Sequence, residues 1–197
     1  MANHRCRSNN KLCCIGGRFM RVFFGLELSQ ETALAIDAWR ERQFGEPGRA
    51  VPVANFHITL AFIGDVPETA LGTLCQAVDE RLARRPVPGS QLLLNQTGYW
   101  PKAMIYWLGA ETWPPELTTL ANTLRSSAGS VQKKRDRNVF VPHVTLFRRC
   151  PEAPPAPLEP PSFALPYRRF SLFESRERRE GVSYHPLQDW PLAAASE

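Results

Sequence analysis

The sequence predicts an α+β fold assembled from a duplicated strand–helix–strand unit. Two apolar runs of strand length, Val22–Leu28 and Ala103–Leu108, are each followed by a helical pattern. Each helical pattern is followed in turn by a second apolar run that carries the same four-residue motif. The copies are His57-Ile58-Thr59-Leu60 and His143-Val144-Thr145-Leu146, 86 residues apart. Two copies indicate a duplication rather than a solenoid. Two equivalent halves packed about a pseudo-twofold axis would bring the matching strands together centrally and place both His-x-Thr units in one cleft.

The elements follow in order. Val22–Leu28 reads as a mostly buried strand. Ser29 is a good N-cap for helix 1, with Glu31 in its positive first turn and an apolar face at Ala35, Ala38 and Trp39. The helix is expected to stop near Gly45, ahead of Pro47 and Gly48. A short extended piece at Val51–Val53 leads into a strand, Phe56–Ile63, that ends at Gly64. Asp65 and Glu68 form a capping-box-like pair for helix 2. Its stripe is Leu71, Leu74, Cys75, Val78 and Leu82. Gln91–Tyr99 and Ala103–Leu108 read as strands around a Trp100-Pro101-Lys102 turn. Pro114 and Pro115 open helix 3, with Leu117, Leu120, Ala121, Leu124 and Ala128 on one face. A basic loop, Gln132–Arg137, precedes the second motif. The segment Cys150–Ser162 holds six prolines and reads as an extended loop within one domain. Phe170–Glu174 and Val182–His185 are expected to close the fold as two strands around a charged tip, Ser175–Glu180.

The chain has 197 residues and a formal charge of +5. Residues 1–19 hold Arg5, Arg7, Lys11 and Arg18 and no acid, so the remainder carries only about +1. Overall basicity is therefore weak evidence for a nucleic-acid partner. The first 19 residues lack the apolar core of a secretory signal and read as a dispensable, disordered extension. Residues 20–192 form the expected domain, and 193–197 a tail. No apolar run approaches the ~20 residues that span a bilayer. Five cysteines, three of them in the extension, imply no disulfide framework and suit a reducing cytoplasm. Cys6, Cys13, Cys14 and His4 lack the paired spacing of structural zinc sites.

Strand geometry gives the motif its chemistry. Side chains alternate faces, so His57 and Thr59 point one way, as do His143 and Thr145. Two converging copies surround a small ligand with two imidazoles and two hydroxyls. Phosphodiester hydrolysis without a metal can be run by such a pair, one neutral imidazole accepting a proton from water and one protonated imidazole donating to the leaving oxygen. The threonines could bind the non-bridging oxygens, and Arg148 could stabilise the developing charge. On a straight strand Arg148, three residues beyond Thr145, would face away, so a bend or bulge is required. A metal held by the two histidines lacks a third ligand, and threonine is a poor one. No metal or cofactor is expected.

At these residues the sequence resembles the two-histidine phosphoesterase superfamily, and within it the RNA 2′,3′-cyclic phosphodiesterases historically called 2′–5′ RNA ligases. The fragments Phe23–Leu28, His57–Gly64 and Pro142–Leu146 with Arg148 carry the resemblance, which runs from about Arg21 to Trp190. It implies a bilobal α+β fold with two antiparallel sheets flanking a central groove and helices outside. It also implies hydrolysis of a terminal 2′,3′-cyclic phosphate to a 2′-phosphomonoester, with weak reverse ligation. By the same resemblance His57 is the proton donor and His143 the proton acceptor. The partner implied is an RNA 3′ end bearing the cyclic phosphate, bound by a cytoplasmic monomer.

RNA-contacting candidates are Lys133, Lys134, Arg135, Arg148, Arg149 and the Arg176–Arg179 cluster. Phe56, Phe140 or Phe147 could stack on a terminal base. Core packing and solvated charge are the competing readings. Two other functions remain open: turnover of a small nucleotide such as ADP-ribose cyclic phosphate or a 2′–5′ oligoadenylate, and nucleotide binding without turnover.

Overall fold

A computed structural model describes residues 18–131, 139–178 and 181–194. The basic-loop residues Lys133, Lys134 and Arg135, and most of the N-terminal extension, lie outside that set. The first sheet has the strand order β10-β9-β1-β3 and is antiparallel throughout. Its strands are β1 (Phe19–Glu27), β3 (His57–Pro67), β9 (Arg169–Arg178) and β10 (Gly181–Pro191). The second sheet, also antiparallel, has the order β2-β7-β6-β5. It contains β2 (Arg49–Ala50), β5 (Gln96–Trp100), β6 (Ile105–Gly109) and β7 (His143–Arg148). A third pair joins β4 (Ser90–Leu94) to β8 (Phe163–Tyr167). The helices are α1 (Gln30–Gln43), α2 (Leu71–Arg84) and α3 (Pro115–Ser127). Strands β3 and β7 approach one another where the sheets meet, and α3 packs on β3.

The duplication extends to the register. In β1 and β3, Glu27 faces His57, Gly25 faces Thr59, and Phe24 faces Ala61. In β6 and β7, Gly109 faces His143, Trp107 faces Thr145, and Tyr106 faces Phe147. Each motif strand thus carries one extra residue just after its threonine, a β-bulge at the same place in both copies. Consecutive burial of Leu60 and Ala61, and of Leu146 and Phe147, records it.

Ser29 caps α1 as expected, accepting from the Thr32 amide. The buried face of α1 differs: Ala33, Ile36, Trp39 and Arg40 point inward, while Ala35 and Ala38 are not among its buried residues. A buried arginine in place of an alanine shifts the stripe. Arg40 donates to the carbonyls of Val51 and Leu146, pairs with Asp37, and lies between the rings of Phe56 and Phe147. The Trp39 indole donates to the Glu159 carbonyl, which fastens the proline-rich segment onto α1.

Other boundaries move. Strand β3 does not end at Gly64; with φ +88° at that glycine it continues to Pro67, opposite Phe19. The Asp65–Glu68 capping box is therefore absent, and α2 begins at Leu71 after a short 3₁₀ turn. Only Leu74 and Val78 of its stripe are buried. The run Gln91–Tyr99 is two strands that part at Asn95 and join different sheets. The Ser175–Glu180 tip is mostly strand, since β9 extends through Arg178. Strand β8 is hidden in the sequence because its outward positions, Ala164 and Pro166, are themselves apolar and leave no alternation, and a proline argues against a strand. The folded body also starts earlier than Met20. Phe19 opens β1, the Arg18 carbonyl accepts from the Glu68 amide, and its guanidinium pairs with buried Glu174. At the other end Ala193 exchanges backbone hydrogen bonds with Val87 and Gly89. No helix among the described residues is long and apolar enough to cross a membrane.

Candidate active site

His57 and His143 open equivalent strands, and each ring is fixed by the backbone two residues before it. His57 Nδ1 lies 2.8 Å from the Asn55 carbonyl and His143 Nδ1 lies 2.7 Å from the Val141 carbonyl. A carbonyl only accepts, so both Nδ1 atoms carry the proton and both Nε2 atoms are left for chemistry in the neutral rings. His57 Nε2 accepts from the Thr59 hydroxyl at 3.0 Å. Aromatic side chains hold the ring planes. Phe23 and Tyr184 pack on His57 with centroids 4.8 and 4.7 Å away. Trp100 and Trp107 pack on His143 at 4.5 and 6.1 Å. Gly98 on β5 makes the Trp107 position available, because a Cβ there would fall inside the indole.

Both imidazoles are poor proton acceptors in the free protein. Burial holds His57 at a pKa of about 4, and the positive fields of His143 and Arg148 push the same way against the helping Asn55 carbonyl. Burial likewise lowers His143, again with Arg148 contributing and the Val141 carbonyl opposing. The field of His143 at His57 and the influence of Arg148 on both rings put all three groups in one electrostatic neighbourhood.

The bulge resolves the difficulty with Arg148. The extra residue after Thr145 returns Arg148 to the face of His143 and Thr145, and it lines a groove of about 800 Å³ together with His57 and Thr59. The same offset in the first copy brings out Phe62, five residues after His57 as Arg148 is after His143. Phe62 is 41% exposed, lines the groove, and has the Arg21 guanidinium 5.1 Å over its ring. Across the groove, Phe62 and Thr59 also border a cavity of about 460 Å³ that contains His143 and Trp100.

Two expected stacking residues are corrected. Phe56 and Phe147 are 6% and 3% exposed and enclose Arg40, so neither offers a face to a base. Phe140 is buried too, although it borders the cavity beside His143. Arg176 is engaged with Glu174. His185 lies on β10 with its Nε2 bonded to Ser183. Thr145 is half-buried on the motif face of β7. Among the described residues no three His, Cys, Asp or Glu side chains gather as a metal site would require. Phe62 was legible in principle, since aligning the two motifs puts it opposite Arg148. Tyr184, Trp100 and Trp107 reach the histidines from other strands, and no local signal marks them.

Residues 28–172, which include both motifs, match the model of the 2′–5′ RNA ligase superfamily. The chain belongs to that superfamily. It is 36% identical over 178 residues to the RNA 2′,3′-cyclic phosphodiesterase of Escherichia coli K12, covering 87% of this chain and 96% of the relative. The enzyme of the same name from Thermus thermophilus is 30% identical over 185 residues, covering 88% of this chain and 90% of the relative. The crystal structure of Escherichia coli LigT complexed with 3′-AMP superimposes with a TM-score of 0.79 at 34% identity, covering 89% of this chain and 99% of LigT. The bilobal α+β architecture of this chain is thus the superfamily's architecture.

Proposed function

We propose that the chain hydrolyses the terminal 2′,3′-cyclic phosphate of RNA to a 2′-phosphomonoester, with His57 and His143 as its acid–base pair. One observation carries the reading: two imidazoles whose Nδ1–H groups are fixed by the backbone, so that each presents Nε2 for chemistry, lie within one another's field in a member of this superfamily, His57 in the basic groove and His143 in the adjoining cavity that shares Thr59 and Phe62 with it. Relatives named for that activity, at 36% and 30% identity, support the substrate.

The water oxygen attacks phosphorus and gives its proton to His143 Nε2. The P–O3′ bond breaks, and the O3′ takes a proton from His57 Nε2, leaving a 3′-hydroxyl and a 2′-phosphate. Thr59 and Thr145 hydroxyls bind the non-bridging oxygens, and Arg148 offsets the charge that builds on them. The donor role at His57 needs a protonated ring, which burial opposes. The anionic phosphate supplies the compensating charge, and the Thr59 hydroxyl turns from His57 toward it. Phe62 stacks on the terminal base. Where a 5′-hydroxyl takes the place of water, its oxygen attacks the same phosphorus, the P–O3′ bond breaks and O3′ takes the proton, which joins two ends weakly through a 2′–5′ bond. The enzyme works as a cytoplasmic monomer without metal or cofactor.

The deciding experiment is product analysis on an oligonucleotide ending in a 2′,3′-cyclic phosphate, beside ADP-ribose 1″,2″-cyclic phosphate and a 2′–5′ oligoadenylate. Preferential turnover of the oligonucleotide to a 2′-phosphate is expected. A 3′-phosphate product, or preference for a small nucleotide, overturns the reading.

The pH dependence follows from the two imidazoles. The reactive free enzyme carries one proton on the pair, and this form peaks between the two pKa values. Both lie below the ordinary 6.5. kcat/KM, which reports the free enzyme, is therefore expected to be bell-shaped with its maximum on the acid side of 6.5. Activity falls at higher pH as the single imidazolium is lost. A profile measured in chelator with its maximum above pH 8 would contradict this assignment.

A further inference from the structure

Three arginines in the groove that holds His57 are arranged at evident cost. In the β2–β7 pair, Arg49 stands directly opposite Arg148. Like charges in that relation repel unless something lies between them. The next residue, Arg149, has φ +59°, a left-handed conformation unfavourable for a side chain that is not glycine or asparagine. The distortion is held in place on both sides. The Cys150 amide donates to the Met104 carbonyl, and Met104 is itself at φ +51°. Gly48 lets β2 approach, since a Cβ there would lie 2.6 Å from the Arg148 carbonyl and 2.8 Å from Cys150 Sγ.

No carboxylate is paired with these cations among the described residues, although Glu177 lines the same groove. Among the described residues Arg49, Arg148 and Arg149 form no ion pair, whereas exposed Arg42 and Arg169 each find a carboxylate. All three line the groove that also holds His57 and Thr59. Its opposite wall is the β9–β10 hairpin, tied down where Asn55 donates to the Val182 carbonyl. Arg148 is already assigned to the reacting phosphate, so Arg49 and Arg149 provide charge for an anion beyond it.

We propose that Arg49 and Arg149 form a second phosphate subsite, which takes the 5′-phosphodiester of the terminal nucleotide and makes the enzyme a reader of RNA strands rather than of mononucleotides. This rests on the cyclic phosphodiesterase reading above. A nucleoside 2′,3′-cyclic phosphate has one phosphate and leaves the subsite empty. A strand places its next phosphate beside Arg49 and Arg149, where its charge also offsets the repulsion of Arg49 by Arg148.

The test compares kcat/KM for a trinucleotide ending in a 2′,3′-cyclic phosphate with that for the matching nucleoside 2′,3′-cyclic phosphate. The wild type should favour the trinucleotide, mainly through KM. The double variant Arg49→Gln, Arg149→Gln should shrink that preference by about tenfold or more. It should also flatten the salt dependence of oligonucleotide binding by about 0.7 in log–log slope per lost phosphate contact. Arg49→Lys with Arg149→Lys keeps the charge and should keep most of the preference, which covers the case where the glutamine variant fails to fold. The proposal is overturned if the wild type shows no preference, if the charge-neutral variant loses equally on both substrates, or if the lysine variant loses as much as the glutamine one. Should the wild type hydrolyse neither substrate, the phosphodiesterase reading falls by itself. Binding of a 5′-labelled hexanucleotide by anisotropy then decides the subsite, and equal affinity of wild type and glutamine variant removes it.

Discussion

His57→Ala and His143→Ala are each expected to slow hydrolysis of a cyclic-phosphate-terminated oligonucleotide by about 10²–10⁴-fold, the usual worth of one acid–base group. Each ring sits at the start of its strand, half-buried, and makes its backbone contact within two residues. Removal therefore costs local packing against Phe23 and Tyr184, or against Trp100 and Trp107, without unpairing a sheet. Circular dichroism and thermal melting should remain near wild type. Because the two rings act in one step, the double variant should be far less damaged than the product of the single losses. The leaving group separates their roles. A substrate whose leaving oxygen needs no proton should largely rescue the donor variant and leave the acceptor variant slow. With His57 as donor, rescue belongs to His57→Ala; rescue of His143→Ala alone reverses the assignment. Near-wild-type turnover in either single variant ends the two-histidine mechanism.

The site was legible because its information is local and repeated. The strand period put His57 with Thr59 and His143 with Thr145, and the repeat supplied the expectation that the pairs share one cleft. What was hidden depends on registers that no single strand encodes. The bulge after each threonine is visible only once β1 lies beside β3 and β6 beside β7. It reassigns Arg148 and Phe62 from the buried side to the groove side. The aromatic supports of the histidines arrive from β1, β5, β6 and β10, so their sequence distances carry no signal. Phe56 and Phe147 misled for a related reason. Both flank a motif and are aromatic, but the cation that occupies their faces is Arg40, from a helix whose alanines suggested a different inward side. The boundary errors at Gly64 and Asn95 share one cause, since a pause in local pattern does not reveal whether a strand bends onward or changes sheet.

Arg40→Ala is expected to destabilise the fold by about 3 kcal/mol, at the lower end for breaking a buried ion pair, which for a domain of this size lowers Tm by roughly 10 °C. The Arg40 side chain is 8% exposed and that of its partner Asp37 is 19% exposed, so the aspartate keeps some access to water and the loss stays at that lower end. Truncation removes the donor to the Val51 carbonyl at 2.7 Å and opens a void between Phe56 and Phe147. Arg40→Met fills the void but satisfies no carbonyl, so it should recover only part of the loss; full recovery would show that packing alone sets the effect. The Leu146 carbonyl, which Arg40 also holds at 3.1 Å, belongs to the bulge that turns Arg148 into the groove. Activity per folded molecule should therefore fall in both variants, although Arg40 lies outside the groove lining. That pairing of a melting shift with a turnover loss separates a prop of the bulge from an ordinary core residue. An Arg40→Met protein that melts lower but turns over normally would show that β7 keeps its bulge unaided.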